Sequence, residues 1–432
     1  MTSWRRDLEL LQNRRFSLLL AGRTIAIIGG AFAPVALAFG VLHLPEGNAR
    51  LLSIVLACES IPLVVLLLVG GVIADRLPRN RVILVGQLGS ALSFGLLGLM
   101  MFAGWTPLWA LGGAAALSGA SMAILYPAIT GIIPEIVPTD RLQAGNAMLS
   151  MGVNVGRILG VVASGFVVAG LGGAWGLAIS SIFFLLGAIF IGQLTSEGPT
   201  DAGAGAANSI FSDLKDGWKE FTSHEWLWVV VAQWSLLVML FNGVHGVLGP
   251  VLADAELGGA RAWSWILAGE GVGTIIGVII SFRLRPKHPI LLPVLLLVPT
   301  LPLPWLLMGL GTPVWTIVIA AAFMGLAFDV FGIMWNTTMQ REVPAEALSR
   351  VSSYDALGSL MFGPIGLLLA GPAAGWIGPH KAMIGSAVVL FFLGLAPLLS
   401  KDVRTLTWRE VPVSGSEDDL PGIPMPAEQL SS

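Results

Sequence analysis

Gly70-Gly71-Val72-Ile73-Ala74-Asp75-Arg76-Leu77-Pro78-Arg79-Asn80-Arg81 is a short, strongly charged stretch between two long apolar runs. The rest of the chain is poor in charge: of 432 residues, 11% are charged and 55% hydrophobic, and the mean hydropathy is +0.83. A soluble domain carries about 25% charged residues, so the chain reads as membrane-embedded and the stretch as a hairpin between two membrane helices. Gly70 and Gly71 are small enough to let helices approach closely in lipid. Arg76, Arg79 and Arg81 hold the loop on the cytoplasmic side.

A bilayer is crossed by about 20 apolar residues. Runs of that kind predict helices over 16–42, 51–71, 82–103, 108–133, 147–171 and 175–194, then 227–252, 263–282, 290–310, 314–335, 355–377 and 381–400. The ninth run holds Pro293, Pro299, Pro302 and Pro304, which kink or break a helix. Met1 to Arg15 is charged and is followed by no small-residue cleavage site, so the first run is expected to be a retained helix and not a signal peptide. Cys58 is the single cysteine, which leaves no internal disulfide. A net charge of −3 argues against nucleic acid as a partner.

The basic residues orient the chain. With the N-terminus inside, Arg5, Arg6, Arg14, Arg15, Arg76, Arg79, Arg81, Arg141, Lys215, Lys219, Arg283, Arg285, Lys287, Arg341 and Arg350 are cytoplasmic, and outside lie only Arg50, Arg261 and Lys381. The positive-inside rule then places both termini in the cytoplasm. The expected division is a cytoplasmic N-terminus (1–15), a six-helix bundle (16–194), a cytoplasmic linker (195–226), a second six-helix bundle (227–400) and a tail (401–432). In the linker, Phe211, Leu214, Trp218 and Phe221 fall at helical spacing, as in an amphipathic helix lying on the membrane. The tail from Val411 is proline-rich and acidic and reads as disordered.

The two bundles look like repeats. Pro138, Leu142, Gly160 and Gly165 recur as Pro344, Leu348, Gly366 and Gly371 at one common offset of 206, with Asp140 and Glu346 in register. Two parallel six-helix repeats about an axis along the membrane normal are a transporter organisation.

The opening stretch also resembles the loop after the second helix of the major facilitator superfamily, G-x-x-x-D-R/K-x-G-R-R/K. Gly71, Asp75, Arg76, Arg79 and, with one residue of slack, Arg81 fit it; Pro78 replaces a glycine and Asn80 a base. Pro127, Pro134-Glu135, Val137-Pro138 and Leu142-Gln143-Ala144-Gly145-Asn146-Ala147 resemble the fourth-to-fifth helix junction of a bacterial branch of macrolide-efflux and enterobactin-exporter type. Trp335-Asn336-Thr337-Thr338-Met339-Gln340-Arg341, Val343-Pro344, Arg350-Val351, Asp213-Leu214 and Gly217-Trp218 are similar to the same branch. The resemblance spans residues 14 to 400 and implies an alternating-access secondary transporter, most often a proton-coupled exporter of amphipathic molecules. It implies that Asp75 sits against the start of the eleventh helix and holds an outward-open state. Of the antiporter pattern G-x-x-x-G-P-x-x-G-G, Gly156, Gly160 and Gly165 match, but Val161 replaces proline, which weakens the case for obligate antiport. Gly363-Pro364 and Gly366 supply a kink-prone partner in the eleventh helix.

Charges inside a bilayer are costly and face a cavity or a partner. Six ionisable groups fall within the predicted helices: Arg23, Glu59, Arg157, His245, Glu270 and Asp329. At 1.5 Å per residue, Glu59 and Arg157 come out near mid-bilayer on the second and fifth helices, where they can pair. Either Glu59 takes a proton as substrate leaves while Arg157 restrains its charged form, or the two are a static ion pair. Asp329 and Arg23 fall in the inner thirds of the tenth and first helices, which line the cavity in the resembled fold; Arg23 can alternatively snorkel. Glu270, read as nearer the outer end of the eighth helix, lies among Gly269, Gly271, Gly273 and Gly277, so cavity and packing roles compete. His245 either titrates near neutral pH or packs. Phe32, Gln233, Trp234, Asn242, Phe331, Trp335 and Asn336 are candidate cavity walls, aromatic faces with a few polar groups.

No phosphate loop of the G-x-x-x-x-G-K-[ST] type is present, and no His/Cys cluster or nucleophile–base arrangement stands out. The chain is therefore expected to be no enzyme, to need no cofactor or metal and to work as a monomer on a small-molecule substrate and protons. The reading is an all-α membrane protein of twelve helices in two pseudo-symmetric bundles. Its expected function is proton-coupled export of a drug, antibiotic or siderophore. Uptake or facilitated diffusion of a metabolite is a second reading, and a non-transporting sensor or scaffold a third.

Overall fold

The computed structural model describes residues 9–137, 141–194 and 218–407. Among them the secondary structure is helical, without strands, and twelve helices are long and apolar enough to cross a membrane. The first six are α1 (Arg14–Leu42), α2 (Ala49–Arg76), α3 (Arg79–Phe102), α4 (Leu108–Ile136), α5 (Leu142–Leu171) and α6 (Gly173–Gly192). The second six are α7 (Glu225–Leu257), α8 (Ala260–Ser281), α9 (Leu291–Gly309), α10 (Val314–Glu342), α11 (Val351–Ile377 within the membrane) and α12 (Pro379–Leu399). Each predicted run is met by one helix.

Local chemistry sets the ends. Asn13 Oδ1 accepts from the backbone N–H of Arg15 at 3.0 Å and caps α1, and Asn48 Oδ1 does the same for α2 from Leu51 at 2.9 Å; such side chains satisfy orphan amides at a helix start. The opening stretch is a tight hairpin in which extended Leu77 and Pro78 alone separate α2 from α3. In α9 the prolines act as expected, interrupting the helix between Thr300 and Leu303. The helix α11 is broken at Phe362, immediately before Gly363-Pro364. The helix α7 instead stays continuous by widening into π-helical turns at Val244–Leu248 and Ala253–Leu257.

The repeat read from the sequence is present in the packing. In the first half α1 packs on α5 and α6, α3 on α4 and α6, and α2 on α4; in the second, α7 packs on α11 and α12, α9 on α10 and α12, and α8 on α10. The α5–α6 and α11–α12 joints are single glycines, Gly172 (φ +91°) and Gly378 (φ +83°). A side chain there is strained because L residues rarely adopt that φ. Gly160 lies against Ile28 and Ala31 of α1, as Gly366 lies against the Met239 backbone of α7. Gly165 and Gly371 meet the opposite half instead, Gly165 at Ser264 of α8 and Gly371 at Ser53 of α2. Gly156 packs on Thr24 of α1, so two of the three α5 glycines close their own half and only Gly165 closes the two halves on each other. Gly363 faces the Asn242 side chain, and Pro364 is buried beside it.

The halves meet along α2–α11 and α5–α8. Three hydrogen bonds join the halves toward the end remote from the chain termini: His43 with Asp254 at 2.9 Å, Ser53 Oγ donating to the Leu367 carbonyl, and the Gly371 N–H donating to Ser53 Oγ at 3.3 Å. Arg261 caps the Phe166 ring at 4.8 Å on the same side. That end is closed.

Several expectations fall wholly or partly outside the described residues: residues 1–8, the linker 195–217 with Phe211, Asp213, Leu214 and Gly217, the junction 138–140, residues 408–432, and the side chain of Asp75. Of the linker helix, Trp218 to Ser223 is helical, and Trp218 and Phe221 bracket Tyr354 at 5.5 and 5.8 Å. Lys401–Thr405 forms a short helix capped by Ser400, so the first residues read as tail are structured.

Candidate functional site

Between the halves lies a cavity of about 550 Å³, lined by α1, α3, α4, α5 and α6 of the first half and by α7 and α8 of the second. A second chamber of about 580 Å³ adjoins it on the α10 side, and the two share Arg157, Glu270 and Thr274. The lining follows helical periodicity: Arg23, Ile27, Gly30 and Pro34 on α1, Met122, Tyr126 and Ile129 on α4, and Leu267, Glu270 and Thr274 on α8. Residues three and four apart share a helix face. The α10 face runs from Phe328 and Asp329 through Gly332 and Asn336 to Gln340. Gln340 lies two residues from the end of α10, so the second chamber reaches toward the end that carries the termini.

Five of the six intramembrane ionisable groups line this space: Arg23, Arg157, His245, Glu270 and Asp329. His245 Nε2 stands 3.4 Å from Glu270 Oε2. The π-helical turn carries His245, and such turns occur often at functional sites. Phe241 stacks on the imidazole at 4.9 Å, while Trp263 and Trp305 meet it edge-on at 5.6 and 5.9 Å. Pro302 and Pro304, which break α9, stand next to the Trp305 of this box. Arg157 donates to Asn154 Oδ1 at 3.0 Å and faces Glu270 and Asp329 across the shared chamber. Asp329 Oδ2 is buried without a hydrogen-bond partner.

The sixth group departs from expectation. Glu59 accepts from Ser118 Oγ of α4 at 2.7 Å and forms no ion pair with Arg157 among the described residues. The physical reason is helix pairing: α2 packs on α4 and α11, and α5 on α1 and α8, so the second and fifth helices hold opposite seams. Glu59 has a counterpart all the same. Gly119 of α4 abuts the Glu59 carbonyl, and Gly325 of α10, at the repeat offset, abuts the Glu270 carbonyl. The two glutamates are repeat-related, but only Glu270 lines the cavity. Glu270 also lies near the middle of the 22-residue α8, deeper than read from the sequence, because the helix starts at Ala260.

Of the remaining wall candidates, Asn336 lines the second chamber and donates to the Gly332 carbonyl at 2.8 Å. Trp234 stacks on Phe331 at 4.6 Å and meets Phe328 edge-on at 5.4 Å, and Phe331 stacks on Trp335 at 6.0 Å, a layer behind the cavity wall. Phe32 and Gln233 are buried away from the cavity, Phe32 against Phe183, and Asn242 is taken up in the α7–α11 seam. In the hairpin, Gly70 abuts the Ala123 backbone while nothing comes within 4 Å of where a Gly71 side chain would sit. Arg79 pairs with Glu135 at 3.1 Å, and Arg76 and Arg81 are exposed. Sequence reasoning missed Gln87, Tyr126, Thr274 and Phe328. Tyr126 alone carried a signal, as one of two tyrosines and directly before Pro127.

The model of the Major Facilitator Superfamily matches residues 16–359. The chain belongs to that superfamily. It is similar to the multidrug efflux pump Tap of Mycolicibacterium fortuitum, at 25% identity over 90% of this chain and 96% of the relative. The enterobactin exporter EntS of Salmonella choleraesuis is 24% identical over 91% of this chain and 95% of its own. Among solved structures, the nucleoside transporter NupG superposes with a TM-score of 0.71 at 15% identity, covering 90% of this chain and 98% of that one; this likeness concerns the fold alone. The chain is thus a multi-pass membrane transporter of the superfamily, and not an enzyme, with efflux relatives at about a quarter identity.

Proposed function

We propose that this transporter exports small amphipathic molecules (a drug, an antibiotic or a siderophore) across the bacterial inner membrane by proton-coupled alternating access. The observation that carries the reading is the His245–Glu270 pair, 3.4 Å apart, lining a cavity between two halves that are closed on each other at the end remote from the termini. The names of Tap and EntS support the export direction, and the basic residues support cytoplasmic termini. The described state then faces the cytoplasm.

Glu270 is the proton carrier in this reading. In the cytoplasm-facing state its proton leaves to water in the chambers, and the charged carboxylate is held by His245 and by Arg157 across the shared chamber. Substrate enters between the apolar faces of α1, α4 and α8. After the halves rock, protonation of Glu270 from the far side releases those partners and lets the empty carrier return. Asp329, facing Arg157, is the second carboxylate able to take part. Asp75, Arg76, Arg79 and Arg81 form the gating hairpin, and the chain works as a monomer. Differential contacts of this kind are what move a two-state equilibrium.

Purified protein in liposomes with an internal pH dye and a panel of amphipathic compounds tests this. Proton flux that appears only with particular compounds and is lost in Glu270→Gln is the expected result. Compound movement with no accompanying proton flux refutes coupling and leaves facilitated diffusion.

A further inference from the structure

The charges of the cavity do not balance group by group. Glu270 has His245, and Asp329 shares its chamber with Arg157. Arg23 has nothing comparable: its guanidinium lines the 550 Å³ cavity from α1, makes no ion pair or hydrogen bond with the described residues, and its Nε is buried without a partner. Two further polar side chains of the same half reach this cavity with their capacity unspent. Gln87 on α3 is 1% exposed, and its Oε1 is buried without a partner. Tyr126 on α4 is 60% exposed, and its hydroxyl makes no hydrogen bond with the described residues. A cation within the membrane is expensive unless an anion or water meets it, and a buried amide left unbonded carries a desolvation cost. The carboxylates of the site all stand on the second half.

We propose that Arg23, with Tyr126, is the subsite for an acidic group of the transported molecule, so that the substrate is an anionic amphipath bearing a carboxylate, phenolate or sulfonate on an apolar body. The inference rests on the export reading for the existence of a substrate and goes beyond it in naming the charge. The planar guanidinium suits two-oxygen acceptors, the Tyr126 hydroxyl adds a donor, the unpartnered Gln87 Oε1 accepts from an N–H or O–H of the body, and Ile27, Met122 and Ile129 offer the body an apolar bed beside them. A cationic ligand would instead place a second positive charge next to Arg23.

Three fluorescent probes with one body test it: dansylglycine (anionic), dansylglycinamide (neutral) and dansylethylenediamine (cationic), titrated onto the purified full chain in nanodiscs. Wild-type protein should bind the acid at least tenfold more tightly than the amide and the amide more tightly than the amine, since a charge-assisted bond to arginine is about twice as strong as a neutral one. In Arg23→Gln the acid-to-amide ratio should fall to about one, and Arg23→Lys, which keeps the charge, should keep part of the preference. Equal binding of acid and amide, tighter binding of the amine, binding of none, or an unchanged ratio in Arg23→Gln overturns the subsite. The liposome proton assay is read without these probes, so the subsite can fail while export stands, and loss of coupled flux with the acid preference intact condemns the export reading alone.

Discussion

Gly371→Ala is expected to open the end of the transporter that is closed in this state. The added Cβ would sit 2.7 Å from Ser53 Cβ and 2.8 Å from Arg50 Cα. Carbon atoms rest at about 3.5–4.0 Å, so α11 and α2 separate locally by about 1 Å. Overfilling of this kind costs about 1–3 kcal/mol, and the Gly371–Ser53 and Ser53–Leu367 hydrogen bonds, stretched by the same movement, are each worth about 0.5–1.5 kcal/mol. A conservative total of about 2 kcal/mol falls only on the state in which the halves touch here, shifting the equilibrium by about 30-fold at 1.4 kcal/mol per tenfold. The assay is the distance between spin labels on cysteines replacing Glu46 and Ala255, both exposed at that end, in a Cys58→Ser background. The ratio of the long-distance to the short-distance population should grow by about that factor. Gly160→Ala is the control: its Cβ meets Ala31 Cβ at 2.7 Å within one half, so it should lower the melting temperature and leave the distances unchanged. If Gly371→Ala leaves both distances and melting temperature unchanged, or if Gly160→Ala moves the distances, the state-specific reading of these glycines is wrong.

Glu270→Gln should abolish substrate-linked proton movement in liposomes, whereas Glu59→Gln, whose side chain still accepts from Ser118 and stands outside the cavity, should retain most of it; the reverse order would return the proton to α2. His43→Ala removes the 2.9 Å cross-half contact with Asp254 and should shift the same spin-label distances in the direction of Gly371→Ala but by a smaller factor, because the pair is partly exposed and such pairs are weak. Ser400→Ala should lower the melting temperature without affecting transport, since Ser400 caps the Lys401–Thr405 helix and donates to Glu225 at 2.7 Å, a cap worth about 0.5–2 kcal/mol.

The fold was legible because its signals are repeated and coarse. Twelve apolar runs mark twelve helices, the α9 prolines mark the break between Thr300 and Leu303, and the offset of 206 that pairs Gly160 with Gly366 and Gly165 with Gly371 survives as paired helix seams. The site was less legible because it depends on which helix faces which, and periodicity within one helix does not carry that. Glu59 and Arg157 match in depth, yet α2 and α5 hold different seams. His245 reads as a lone histidine in an apolar run; its partner Glu270 is 25 residues away, and the π-helical turn that carries the imidazole has no clear sequence mark. The aromatic candidates failed for a simpler reason: stacking of Trp234, Phe331 and Trp335 on one another satisfies their faces without any ligand.

The repeat also explains why the two halves can divide the work. A duplicated bundle begins with the same glutamate position twice, each backed by a glycine on the helix two along: Glu59 by Gly119 and Glu270 by Gly325. In the first half the carboxylate is turned to Ser118, away from the cavity, and the cavity wall is left with cations and neutral polar groups: Arg23, Arg157, Gln87 and Tyr126. In the second half the carboxylate stays on the cavity beside His245, joined by Asp329. Opposite charges on opposite walls suit a carrier that holds an acidic ligand on one side while the other side keeps or releases a proton. On the proposed reading a bound anion and the deprotonated carboxylate would stand across a shared space, in which Arg157 of the first half faces Glu270 and Asp329. In the proposed export cycle substrate and proton state are coupled through that arginine, and Arg157→Gln should uncouple flux more completely than the loss of His245 alone, as read from proton movement per substrate in the liposome assay; unchanged stoichiometry would exclude this route of coupling.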